Sequence, residues 1–168
     1  EPTLDRESST LHLGANWEMY ALDVGTGHRR WRAVASSNGF PYMGPGPSKP
    51  LVVGKRVFHQ RPLNATFEGQ GHLQSVEKDT GRGLKRIPPE PRMHPMQRHA
   101  SPVLQNGLVH FVTAGLFAVD PEAPDQARWI AEHAAGSATP CVIEKHAFVS
   151  YHDEVVAYRL NDDGATPM

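Results

Sequence analysis

The stretch Tyr20–Trp31, YALDVGTGHRRW, sets Gly25-Thr26-Gly27 directly after an apolar run, where a phosphate-cradling loop would sit. A dinucleotide loop needs G-x-G-x-x-G leading into a helix, so that backbone N–H groups meet the pyrophosphate, and an acid about 20 residues on. Here the glycines run into His28-Arg29-Arg30-Trp31, with no third glycine and no helical pattern. They read as a hairpin turn. A second candidate is RMHPMQRH, Arg92–His99, which crowds Met93, His94, Met96 and His99 together. Thioether beside imidazole suits copper; the plainer reading, a solvated loop with Met packed beneath it, is the one adopted, and no metal site is expected.

The remaining reactive groups are scattered. The ten histidines form no H-x-x-H or H-E-x-x-H, and His12, His59, His110 and His152 are expected at outward strand positions. The lone Cys141 excludes an internal disulfide and a cysteine-based zinc cluster. It is expected as a small buried hydrophobe on an innermost strand. There is no C-x-x-C-H haem attachment. Asn64-Ala65-Thr66 matches a glycosylation sequon and is read as chance.

These residues need elements to hold them. A chain of 168 residues is about one domain. A net charge of −1 with both signs interspersed gives no footprint for nucleic acid or anionic lipid. No run is long and apolar enough for a transmembrane helix. The chain opens on Glu1 rather than methionine, which predicts processing or excision from a longer protein. Glycine and proline, 15 each, punctuate short apolar runs such as PLVVG, LVHFVTA and EVVAYRL. Val109, Phe111 and Thr113 alternate with His110 and Val112, the period of a strand. Only QARWIAEHAA, 126–135, could pass for a helix.

A repeat decides that case. YALDVGTGHRRW aligns with QSVEKDTGRGLK (74–85) and FAVDPEAPDQARW (117–129): a small residue (Ala21, Ser75, Ala118), an acid two places on (Asp23, Glu77, Asp120), a turn, then Trp31, Lys85 or Trp129. A weaker fourth copy starts at VAYRLNDDG, with Ala157 in the small slot. Upstream of three copies stands a second phrase, PLVVGKRVFH, PVLQNGLVHF and PCVIEKHAFV: proline, strand, polar turn, strand. The unit is thus four antiparallel strands, A to D, at about 40–45 residues, the size of a propeller blade. QARWIAEH falls in the slot that HRRWRAVA fills in the first unit and is predicted as a D strand.

ALDVGTGHRRW resembles the tryptophan-docking motif of pyrroloquinoline-quinone-like (PQQ-like) β-propellers, A-x-D-x-x-x-G-x-x-x-W, with Ala21, Asp23, Gly27 and Trp31 in place. The second copy keeps Gly81; the third keeps Ala118, Asp120 and, one place late, Trp129. The resemblance implies an all-β fold of PQQ-like four-stranded antiparallel blades, whose rings close with about seven or eight of them. This chain would supply about three and a half to four, an incomplete ring. Its units fall near 10–36, 50–87, 101–135 and 140–160, within one domain, 1–168, that ends in a tail, 161–168. Roughly fourteen strands are expected: Glu1–Ser9 is a poor candidate for the first A strand, and Asn161–Met168 supplies no closing strand.

In such a blade the B–C and D–A connections open on one end, and the long segments 36–49, 61–71 and 88–100 all fall there. Loops on a rigid scaffold concentrate binding residues, so Phe40, Tyr42, Arg61, Arg92, His94, Arg98 and His99 are the candidates, with no catalytic residue assigned. The family spans quinone-dependent dehydrogenases, assembly scaffolds and sensor domains. The adjacent cysteine pair of its alcohol-oxidising members is absent. The expectation is therefore a non-catalytic scaffold or protein-interaction segment of a larger propeller or complex, without cofactor. Its partner is a protein or the rest of its own propeller, not nucleic acid, and open strand edges allow oligomers. The alternative is a fragment of a quinoprotein dehydrogenase holding PQQ and calcium. The resemblance further implies a periplasmic or exported protein, with a cytoplasmic one open.

Overall fold

The computed structural model describes residues 1–15, 18–34, 48–61, 72–87, 100–112, 115–132, 139–151, 154–161 and 164–168. Every regular element among them is a strand. Blade 1 holds β1 (Thr3–Asp5), β2 (Thr10–Ala15), β3 (Glu18–Asp23) and β4 (Arg29–Val34). Blade 2 holds β5 (Leu51–Val53), β6 (Arg56–Arg61), β7 (His72–Glu77) and β8 (Lys85–Ile87). Blade 3 holds β9 (Val103–Gln105), β10 (Leu108–Val112), β11 (Gly115–Val119) and β12 (Arg128–Glu132). Blade 4 holds β13 (Cys141–Ile143), β14 (His146–Tyr151), β15 (Glu154–Asn161) and β16 (Gly164–Pro167). Each blade is its own antiparallel sheet with its strands in chain order, and the first strands of successive blades, β1, β5, β9 and β13, lie side by side along the inner wall. The architecture is that of β-propeller blades, and the ambiguous 126–135 stretch supplies β12.

Two expectations are corrected. Sixteen strands occur among the described residues, because Thr3–Asp5 does form the first A strand and Gly164–Pro167 does close blade 4. Both were illegible because three or four residues are too few to show a period. Leu4 is the one large apolar residue that β1 contributes.

The turns follow from their residues. Asn106 and Gly107 both have positive φ, the two-residue hairpin that Asn-Gly favours. In blade 1 the Asp23 carboxylate accepts from the Thr26 N–H (2.9 Å) and hydroxyl (3.0 Å), while Gly27, at φ +72°, donates to the Asp23 carbonyl. Blade 2 repeats the device, with Thr80 donating to Glu77 at 2.7 Å and Gly81 at φ +67°.

Strand register gives each blade two faces. The leading face, toward the next blade, carries the rows Thr3–His12–Ala21–Trp31, Leu51–Phe58–Ser75–Lys85, Val103–His110–Ala118–Arg128 and Cys141–Phe148–Ala157. The trailing face carries Leu4–Leu11–Leu22, Val52–Val57–Val76, Leu104–Val109–Val119 and Val142–Ala147–Tyr158, apolar in every blade. Three cores result. Met19, Ala21, Trp31 and Ala33 pack on Val57 and Val76; Phe58, Leu73 and Ile87 on Val109, Phe111, Phe117 and Val119; Val112, Leu116 and Ala131 on Ala147, Val149 and Tyr158.

Candidate functional site

The slot opposite the small residue of each leading face differs from junction to junction. In blade 1 it holds Trp31, whose indole N–H donates to the Lys78 carbonyl of blade 2 at 2.7 Å. The ring covers Gly81, where a Cβ would stand 2.6 Å from it. An indole buries roughly 150–250 Å², worth on the order of 4–6 kcal/mol as an upper bound. In blade 2 the slot holds Lys85, whose ammonium meets the Asp125 carboxylate of blade 3 at 2.9 Å. In blade 3 the register sets Arg128 opposite Ala118, while Trp129 pairs with Phe117 across a bulge. The position equivalent to Trp31 thus belongs to Arg128, which follows Ala118 by the same ten residues that separate Trp31 from Ala21, while Trp129 stands one place further on.

Beside that slot lies a cleft of about 340 Å³ between blades 3 and 4, lined by Asn106, Leu108, His110, Arg128, Lys145 and Leu160 among others. His110 occupies the place that His12 holds under Trp31, where the two rings lie 5.7 Å apart. Both histidines are buried, as is His59, which packs against Gly14 of blade 1. The expectation of outward positions fails for His12, His59 and His110 because each falls on an inter-blade face, while His152 lies outside the described residues. Neither nitrogen of His12, nor Nδ1 of His110, has a hydrogen-bond partner among the described residues. Burial pushes the pKa of both below the usual 6.5, against a smaller upward pull from Asp5 on His12 and from the Gln105 backbone on His110. Their rings are therefore neutral at neutral pH, fillers rather than acids.

A second concavity of about 950 Å³ runs along the inner wall over β1, β5 and β9, with Lys49, Arg6 and Glu7 on its rim. At its edge the Lys78 ammonium reaches Asp5 at 3.1 Å and ties blade 2 to blade 1. The Ser8 hydroxyl and then Lys78 hold the Asp5 carboxyl below its usual range, and Asp5 in turn raises Lys78. Asp23 is held at about 2 by Arg30 and Thr26. These are structural pairings. No cluster of three or more metal-ligating side chains occurs among the described residues.

Of the loop candidates, Phe40, Tyr42, Arg92, His94, Arg98 and His99 lie outside the described residues, and Arg61 enters only as the last residue of β6. The strand ends flanking those segments (β4 to β5, β6 to β7, β8 to β9) belong to D–A and B–C connections, which open on one end of the blades. Cys141, expected buried, is exposed. It belongs to the leading face of blade 4, where Phe148 is 38% exposed while its counterpart Phe58 is 0%. That open face was missed because a repeat predicts which side chains point at a neighbour but not whether a neighbour is there.

No family model matches the sequence, and no curated protein matches it. Solved structures do match in fold. BamB from Moraxella catarrhalis superposes with a TM-score of 0.62 at 16% identity, over 98% of this chain and 50% of that one. The N-terminal domain of Nup159 gives 0.55 at 8% identity, over 100% and 42%. The quinohemoprotein alcohol dehydrogenase ADHIIG from Pseudomonas putida HK5 gives 0.55 at 14%, over 90% and 30%. The chain thus spans half the length of that BamB and less of the other two. Its fold is similar to that of PQQ-type propellers, BamB and the quinohemoprotein among them.

Proposed function

We propose that the chain is a non-catalytic segment of a PQQ-like propeller, acting as a scaffold or protein-interaction module within a larger propeller or complex. One observation carries the reading: the asymmetry of the blade ends. At one end the connections run from two residues, as at Gly54-Lys55 and Asn106-Gly107, to eight at 120–127; the other has two-residue connections at 16–17, 113–114 and 152–153 but also the longest segments, 35–47, 62–71 and 88–99. A rigid sheet with its longest connections gathered at one end is the layout of a binding face. Phe40, Tyr42, Arg61, Arg92 and Arg98, in or next to those segments, are aromatic and arginine residues, the types that anchor protein partners; the last segment also carries His94 and His99. The titratable groups on the blade faces support the same reading, since His12 and His110 are packing groups. By the same resemblance, the protein is periplasmic or exported.

A redox-dye assay of the intact protein with added PQQ and calcium tests this against the dehydrogenase reading. No turnover is expected. Turnover abolished by His94→Ala or Arg61→Ala would overturn the scaffold.

A further inference from the structure

Strand pairing makes the junction between blades 1 and 2 and the one between blades 3 and 4 comparable position by position. His12, Ala21 and Trp31 form one cross-strand row of blade 1, and His110, Ala118 and Arg128 form the same row of blade 3. On the facing blades, the Lys78 N–H donates to the Lys55 carbonyl at 2.8 Å, and the Leu160 N–H to the Lys145 carbonyl at 2.7 Å. Lys78 and Leu160 are thus counterparts. Each leads into a hairpin that carries a glycine, Gly81 in blade 2 and Gly164 in blade 4.

At the first junction these positions seat an indole. Trp31 lies beside the His12 ring, covers Gly81 and donates its N–H to the Lys78 carbonyl. At the other junction the same positions enclose the cleft of about 340 Å³, with His110, Arg128 and Ile130 on blade 3 and Lys145, Leu160 and Gly164 on blade 4. That volume falls within the roughly 300–1,000 Å³ of small-molecule sites.

The lining states what would fit. Leu108, Ile130 and Leu160 give an apolar wall. Arg128 and Lys145 set two cations against one carboxylate, Glu144, among the described residues of the cleft. His110 is 3% exposed, and its Nδ1 has no partner among the described residues. The Gln105 backbone takes the one N–H of its neutral ring, so Nδ1 stands as an acceptor. A buried acceptor left unmatched is costly. The nitrogens of His12 are unpartnered too, but there an indole already fills the seat.

We infer that the cleft between blades 3 and 4 binds a small planar heteroaromatic carboxylate in the seat that Trp31 fills at the first junction. The ring lies against Leu108, Ile130 and Leu160, its N–H donates to Nδ1 of His110, and its carboxylate meets Arg128 and Lys145. The inference rests on this junction and not on the chain's lacking catalysis, so the dye assay and the test below fail independently.

The test is calorimetric titration of the intact protein with indole-3-acetate as the probe, beside indole and acetate separately. Wild type is expected to bind one probe per chain, indole about tenfold more weakly for want of the charge-assisted contacts, and acetate not at all. The N-methylated probe, which has no N–H to give, should bind about fivefold more weakly than its parent. Arg128→Trp rebuilds the row of blade 1 in blade 3; with its fold checked by far-ultraviolet circular dichroism, it should close the seat and abolish binding. Lys145 is exposed, so Lys145→Met keeps the fold. It should weaken the probe by about tenfold and leave indole unchanged. A wild type that binds no probe at millimolar concentration overturns the inference and leaves the cleft to water. A folded Arg128→Trp protein that binds as wild type does places the probe elsewhere and overturns it too. Equal affinity for indole and indole-3-acetate, or a Lys145→Met protein with undiminished affinity, overturns the carboxylate.

Discussion

The junction between blades 1 and 2 and the one between blades 3 and 4 are built on the same frame and finished differently. At the first, the slot opposite Ala21 is plugged by an indole that also hydrogen-bonds the next blade's turn. At the second, the slot opposite Ala118 faces Arg128, and a cleft stands beside it. Yet both have buried apolar cores, to which the trailing rows contribute Val57 and Val76 at the first and Ala147, Val149 and Tyr158 at the second. Among the described side chains, blade stacking depends on those rows at every junction and on an indole at the first.

The sharpest way to break that comparison is Trp31→Ala. Loss of the indole should cost about 3–5 kcal/mol, read as a fall in the urea midpoint. A cost below a quarter of this would mean that the slot is an ornament at both junctions. Next comes Gly81→Ala, which pushes a Cβ into the Trp31 ring at a φ of +67° and should cost about 1–3 kcal/mol. In the Trp31→Ala background the clash disappears and only the backbone strain should remain, so a double-mutant cycle separates the two.

His12→Phe, which copies Phe58 and Phe148, should be neutral or stabilising by about 1 kcal/mol, since it removes a buried group without partners. Its pH dependence sharpens the point. The folded pKa of His12 lies below 6.5, so its contribution is complete above 6.5 and is lost as pH falls through and below that value. Thermal unfolding of the variant should decline less steeply below pH 6.5 than that of wild type, with His110 keeping the rest of the slope. The smallest effect belongs to the middle junction. The Lys85–Asp125 pair is partly exposed, and Lys85→Met should cost about 0–1 kcal/mol, less still in high salt. A larger loss would place an ion pair on a level with the indole.

Much of this was legible in the residues. The Ala-x-Asp and Thr-Gly phrases fixed the blade unit, and the repeat overruled helix propensity at Arg128–Trp129. What stayed hidden was of two kinds. Strands β1 and β16 are too short to show alternation, and their pairing is imposed by neighbours. The facing of His12 and Cys141 depends on register and on what lies beyond the blade, and neither is encoded in spacing. The loop face, with Arg61, His94 and Arg98, was read from strand topology alone.

Taken by itself as a monomer, this stretch of chain should come apart first at its two outer sheets. Blades 2 and 3 are held from both sides, blades 1 and 4 from one, and in stacked repeats stability is close to a sum of units and nearest-neighbour joints. Amide hydrogen exchange should therefore be graded along the chain, fastest in β1–β4 and β13–β16 and slowest in the strands around Phe58 and Phe111. Loss of native structure would begin at the two outer sheets and travel inward.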